Sequence, residues 1–303
     1  MIYGLAAAVA WGTSAVTATV AARRCGTFIT VLIGQVLGLV VLFVLGAALR
    51  PSFAAVHGTV LWGLIGCGVI GLLGYLFFYR ALAEGPVGLV SSIGATYGGI
   101  SALLAFLFLG ERLGVAGTTG VALAVAGVAL AAARSQTATV ATSVGAGEPI
   151  VGVAQMPTAA GSESGLGIPF ALGSALAYGV GGFLLGDFSA RAGWLTATLV
   201  ARLASIAVLV VALPFVGRPS AWRGTSSGWA WAAAAGLTDV LGVLAFARGG
   251  QEGQVAVTAA VSSVYPVIPL AAGITLFGER LTWRQGMGVG LIVAGLVLLG
   301  LVS

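Results

Sequence analysis

Two charged residues, Arg202 and Asp239, stand deep inside apolar stretches. Arg202 lies eight residues beyond Trp194, and Asp239 ten beyond Trp229. At the rise of an α-helix these offsets are roughly 12 Å and 15 Å, near the middle of a bilayer entered at an interfacial tryptophan. A central Arg or Asp costs roughly 2.5 to 3.5 kcal/mol on insertion scales, so two of them without a partner or a cavity would be an unforced penalty. Both are therefore expected to line a cavity. In the sharper form Arg202 holds an anionic group of a solute, while Asp239 takes up and releases a proton or holds a cationic group. In the plainer form they are a structural ion pair that neutralises both charges and never meets cargo. Neither has a charged counterpart in the first half of the chain, where Gln35 and Gly71 stand, so the cavity should be asymmetric.

Hydroxyls and aromatic rings supply the other candidates. Thr258, Ser262 and Tyr265 recur at i, i+4 and i+7, which stacks them on one helix face where they can bond a polar solute. Pro266 and Pro269 remove donors from the same helix and free carbonyls toward the cavity or toward neighbouring helices. Trp11 and Tyr178 sit mid-run instead of in an interfacial belt. Together with Tyr97 and Tyr265 they are expected as aromatic cavity walls, the alternative being ordinary helix packing. The two cysteines, Cys25 and Cys67, have no metal-ligand or disulfide spacing, and His57 is the single histidine. No metal or other cofactor is expected, and the lone histidine leaves little material for a catalytic triad. There is no phosphate-cradling glycine loop ending in Lys and Ser or Thr, which argues against ATP drive by this chain.

The elements that must position these residues follow from composition. The 303 residues are 59% apolar and 7% charged, with mean hydropathy +1.11, whereas a soluble domain carries about 25% charged residues. Too little polar side chain is present to cover a water-soluble globule. The positive charge comes from Arg residues standing singly or in pairs between apolar runs, a pattern of membrane-end anchors and not of a nucleic-acid surface. Ten runs are long enough to span a bilayer: 2 to 22, 27 to 49, 59 to 82, 86 to 109, 113 to 133, 167 to 187, 194 to 216, 228 to 248, 254 to 277 and 283 to 302. Their length and lack of alternation predict helices and exclude a barrel. The fold class is thus an all-α membrane protein of ten transmembrane helices, multi-pass in the cell membrane. One polar stretch, 134–166, rich in Ala, Gly, Ser and Thr, reads as a flexible linker between segments 1–133 and 167–303.

Those segments repeat. At an offset of 168 positions Arg80, Glu84, Tyr97, Gly110, Glu111, Arg112, Leu113, Gly120 and Gly127 align with Arg248, Glu252, Tyr265, Gly278, Glu279, Arg280, Leu281, Gly288 and Gly295. At 167, Trp11-Gly12 aligns with Tyr178-Gly179. Each unit has five runs, and five is odd, so the second copy enters the membrane from the opposite side. That is the inverted-repeat plan of secondary transporters. Glu111-Arg112 and Glu279-Arg280 fall at the ends of their runs and are expected to anchor in the headgroup zone, with a gate pairing as the alternative. In the fifth and tenth runs Thr118, Ala122 and Ala126, and Gly286, Gly290 and Ala294, recur every fourth position, a spacing for close contact between the halves or in a homodimer.

Two five-run halves, each closing its fourth run with Gly-Glu-Arg-Leu, with Trp11-Gly12 in the first run and Tyr265-Pro266 in the ninth, resemble an EamA-type transporter of the drug/metabolite transporter superfamily. The resemblance covers nearly the whole chain outside the linker. It implies that runs one, three, four, six, eight and nine line a central cavity, that runs five and ten lie at the periphery, and that small metabolites are moved, often outward. Two positions depart from the pattern: Gly98 follows Tyr97 where proline is common, and Gln35 stands where an arginine often begins the second-run motif. The expected function is alternating-access transport of a small metabolite or amino-acid-like compound, as an exporter, with protons as the coupling ion. A passive pore, a membrane scaffold and a membrane-embedded enzyme are the alternatives.

Overall fold

Backbone N–H and C=O groups buried in hydrocarbon have no water to bond, so a chain this apolar satisfies them within helices. The computed structural model describes residues 2–110, 115–132, 167–214, 226–252, 255–279 and 281–302, and these form helices without a strand among them. In chain order they are α1 (Ile2–Cys25), α2 (Thr27–Leu49), α3 (Gly58–Glu84), α4 (Val87–Gly94), α5 (Tyr97–Leu109), α6 (Val115–Ala132), α7 (Gly167–Ala192), α8 (Trp194–Ala212), α9 (Ser226–Gln251), α10 (Val255–Ser262), α11 (Val267–Thr275) and α12 (Trp283–Val302). Taking α4 with α5 and α10 with α11 as single broken spans, eight segments among the described residues are long and apolar enough to cross a membrane. The fifth and tenth runs are α6 and α12, of 18 and 20 residues. The expected linker, Glu111-Arg112 and Arg280 lie outside the described residues.

Packing follows the sequence repeat. In the register that aligns the two segments, α1 to α6 correspond to α7 to α12. The contact of α1 with α9 is matched by that of α7 with α3, α2 with α9 by α8 with α3, and α5 with α10 by α11 with α4. Because α4 meets α11 while α5 meets α10, the two broken spans cross antiparallel. The backbones of α2 and α9 come close where Gly34 faces Gly236; a Cβ on Gly236 would lie 2.6 Å from the Gly34 Cα. The matching contact sets Gly68 of α3 against the Ala201 backbone of α8.

The turns show the sense of each half. Gly26, between α1 and α2, has φ 84°, and its counterpart Gly193, between α7 and α8, has φ 86°. A one-residue reversal in this left-handed region suits glycine, which lacks the clashing Cβ. The Thr196 hydroxyl, just after Gly193, donates to the Ser52 carbonyl at 2.9 Å, so this turn lies beside the α2–α3 connection. Gly26 is at the other end of α2, whose 23 residues span about 35 Å. Corresponding turns therefore lie at opposite ends of the bundle.

The small-residue pattern of α6 and α12 divides into two faces. Gly127 packs on the Gly288 carbonyl and on Ile292, and Gly120 and Gly295 are buried as well. Thr118, Ala122 and Ala126, with Gly286, Gly290 and Ala294, stay exposed. Contact between the halves thus uses the repeat glycines, and the every-fourth stripe faces outward.

Candidate functional site

A cavity of about 140 Å³ lies where the two halves meet. Trp11 of α1, Gln35 of α2, Tyr75 and Tyr79 of α3, Tyr97 of α5, Tyr178 of α7, Arg202 of α8, Asp239 of α9 and Tyr265, between α10 and α11, all line it. Broken and unbroken spans from both halves supply walls, and α2 and α8 add Gln35 and Arg202 to the six runs that the family resemblance implied.

Its polar end is one connected cluster. Arg202 and Asp239 are each 5% exposed, and a guanidinium nitrogen lies 3.4 Å from Asp239 Oδ2. Arg202 donates from Nη1 to Gln35 Oε1 at 2.7 Å, and its guanidinium carbon stands 5.9 Å from the centre of the Tyr75 ring. The Tyr75 hydroxyl donates to the Asp239 carboxylate, 2.9 and 2.8 Å from its two oxygens. Gly38, one turn along α2 from Gln35, leaves room for the guanidinium; a Cβ there would be 3.1 Å from Arg202 Cζ. In a dry interior such charge-assisted bonds are what permit two buried charges. The expected asymmetry is present: Gly71, the counterpart of Asp239, lines the same cavity with no side chain.

Aromatic rings wall the remainder. Trp11 meets Tyr97 edge-on at 5.9 Å between centroids and Phe246 at 5.5 Å. Tyr178 meets Tyr75 at 5.5 Å, Phe78 at 6.0 Å and Tyr97 at 6.5 Å, each at a steep angle. Such edge-to-face contacts suit ring quadrupoles and fix the walls relative to one another. The hydroxyls are also held: Tyr97 Oη lies 2.6 Å from Ser262 Oγ, and Tyr265 donates to the Ser91 carbonyl at 3.1 Å.

Of the eight candidate residues, Trp11, Tyr97, Tyr178, Arg202, Asp239 and Tyr265 come together around this space. Ser262 stands behind the wall as the partner of Tyr97. Thr258 is buried against Gly249 of α9 and is not part of the wall. The hydroxyl stripe is split: Thr258 is turned toward α9, and Tyr265 is set apart because α10 ends at Ser262 and the chain turns through residues 263–266 before α11 begins. Tyr75, Tyr79 and the Gln35–Arg202 bond were not foreseen. The repeat held a signal for the bond: Gln35 and Arg202 are counterparts at an offset of 167, and α2 packs on α8. Tyr97 and Tyr265, counterparts at 168, likewise face each other at 6.5 Å. Equivalent residues meet each other in this cavity.

Comparison with known proteins decides the family. The model described as the EamA-like transporter family matches residues 1–133 and again 165–301. The chain belongs to the EamA-like transporter family. It is a multi-pass membrane transporter of the drug/metabolite transporter superfamily. A solved structure titled "Crystal structure of protein" is similar, with TM-score 0.69 over 99% of this chain and 96% of its own, at 18% identity. At that identity the likeness speaks for the fold alone. No curated protein matches the chain. In this EamA-like chain the cavity is lined mainly by aromatic and aliphatic groups, with Ser14, Thr198 and Ser205 beside the Arg202–Asp239 cluster.

Proposed function

We propose that this EamA-like chain is a secondary transporter whose two halves are inverted repeats, and that it exports a small metabolite or amino-acid-like compound across the cell membrane by alternating access. The observation that carries the proposal is the buried cluster of Gln35, Tyr75, Arg202 and Asp239 in the wall of a cavity built from both halves. The exchange-symmetric contacts and the corresponding turns at opposite ends of the bundle support the inversion. Two halves that can swap slightly different packings close one side of a shared site as they open the other. Arg202 then holds an anionic group of the solute, and Asp239 carries the coupling proton.

The test is flux in proteoliposomes. Compounds are first chosen from amino acids and small organic acids by thermal stabilisation of the purified protein. Saturable counterflow of such a compound is expected. Non-saturable flux, or none, indicates a pore or a scaffold and discards the proposal. Asp239→Asn is expected to keep counterflow and lose proton-driven accumulation; unchanged proton dependence would discard the proton role. A second role for the cluster has its own support. Arg202 and Asp239 already have partners within the protein, as a brace joining α2, α3, α8 and α9 would require. Proton dependence unchanged in a destabilised Asp239→Asn protein selects the brace.

A further inference from the structure

In the second copy of the repeated motif, Glu279 meets the first half of the chain. At the end of α11, Gly278 turns the chain at φ 62°, a conformation natural to glycine. Glu279 then points back along α11, its carboxylate beside Gly273. Its carboxylate accepts from the backbone N–H groups of Val87 at 2.6 Å and Gly88 at 3.1 Å, the first two residues of α4. These amides have no acceptor within their own helix, and the helix dipole adds to the attraction for a carboxylate. Glu279 belongs to the second half and α4 to the first, so the contact bridges the halves. Gly273 makes it possible: a Cβ there would lie 2.5 Å from Glu279 Oε2.

Arg23 clasps the same corner. Its guanidinium donates to the carbonyls of Leu82 at 3.3 Å and Gly85 at 3.0 Å, the turn that leads into α4, and lies 5.4 Å from the ring centre of Phe277. All eight residues of α4 are buried. The helix sits between this corner and the cavity, with Gly94 against Phe78 and the Tyr265 hydroxyl on the Ser91 carbonyl. Ser91 Oγ, buried, has no hydrogen-bond partner among the described residues, so α4 in this position is one bond short of full satisfaction.

We propose that Glu279, seconded by Arg23, is a latch: while it holds the N-terminus of α4, that helix plugs the cavity at the end of the bundle bearing Gly26 and Gly85, and opening at that end requires its release. Tyr265, bonded to the middle of α4, lines the cavity, which gives a solute a path for displacing the plug. The proposal rests on the alternating-access function above.

Cys67 in the cavity wall serves as the reporter. In a Cys25→Ala background it is the sole thiol, and its modification by a membrane-impermeant methanethiosulfonate is timed from each face of oriented membrane vesicles. Glu279→Gln is expected to speed modification from the latch face at least tenfold and to leave the rate from the other face within twofold. An unchanged latch-face rate, or equal acceleration from both faces, overturns the proposal. If Glu279→Gln does not fold, Arg23→Gln, which removes the bonds to the Leu82 and Gly85 carbonyls and so loosens the seat on which the carboxylate grips α4, must show a face-selective gain in the same direction, and its absence overturns the proposal equally. Failure of the transport proposal is distinguishable, since it appears as absent counterflow in the unsubstituted chain whatever the labelling result.

Discussion

At the residue scale, the Arg202–Asp239 cluster has two kinds of cost. Desolvation of each charge is repaid only while its partners stay in place, so removal of one member leaves the other uncompensated. Asp239→Ala is therefore expected to destabilise the protein by about 3–5 kcal/mol, read as a large fall in the melting temperature of the purified protein in detergent. Arg202→Met combined with Asp239→Leu removes both charges and should recover most of that loss. A single substitution that melts like the unsubstituted chain would show that the carboxylate is not held as the geometry has it. The two charges were legible in the sequence because an ionised group at bilayer depth is rare enough to need an explanation. Tyr75 and Gln35 were not, because a run that is apolar all round gives no preferred face, and hydrophobic periodicity cannot say which side chains point inward. Thr258 shows the same limit: its spacing to Ser262 is right for a shared face, but that face packs on α9 at Gly249.

At the scale of elements, the edges of the runs were readable to within a few residues, since glycine turns and charged residues punctuate them. The breaks were harder to see. Proline at 266 and 269 suggests a broken ninth run, but the fourth run breaks at the corresponding place, between Gly94 and Tyr97, with Gly98 where proline would stand. Proline is thus not the common cause. What the two breaks share is close packing on each other, with Gly98 against Ser263 and the Ala259 carbonyl, and Tyr97 bonded to Ser262. Pro266 caps α11 at φ −62°, near the value its ring imposes, and there its missing N–H is of little consequence. Pro266→Ala is accordingly expected to cost only about 0.4–1 kcal/mol, through the freer unfolded chain. Gly98→Ala would place a Cβ 2.5 Å from Ser263 Oγ, and such overpacking costs about 1–3 kcal/mol. Thermal melts of the two variants give the order; a larger loss for Pro266→Ala would return the break to proline.

At the scale of the whole molecule, the duplication is suggested by the equal spacing of many residues, each motif being weak alone, and the odd number of runs per copy then suggests inversion. Inversion makes a claim about sides that no single helix makes. The α2–α3 connection and the turn at Gly193 share one end of the bundle, joined by the Thr196–Ser52 bond, while Gly26, Gly85 and the Glu279 corner share the other. In a Cys25→Ala, Cys67→Ala background, thiols introduced singly at the exposed positions Ala54 and Ala190 should react with an impermeant reagent from one face of the membrane. A thiol introduced at Arg284, five residues after Glu279, should react from the other. In a head-to-tail duplication without inversion the second half would be turned over: Gly193 would lie at the Gly26 end, Ala190 would then label against Ala54, and Arg284 would label with Ala54. That outcome would remove the geometric basis for two halves that exchange packings, and with it both the alternating site and the latch. The expected pattern would place Glu279 at the start of α4, some 190 positions away in sequence, as an inverted second half requires, while Asp239, with Gly71 as its counterpart, marks where the halves differ.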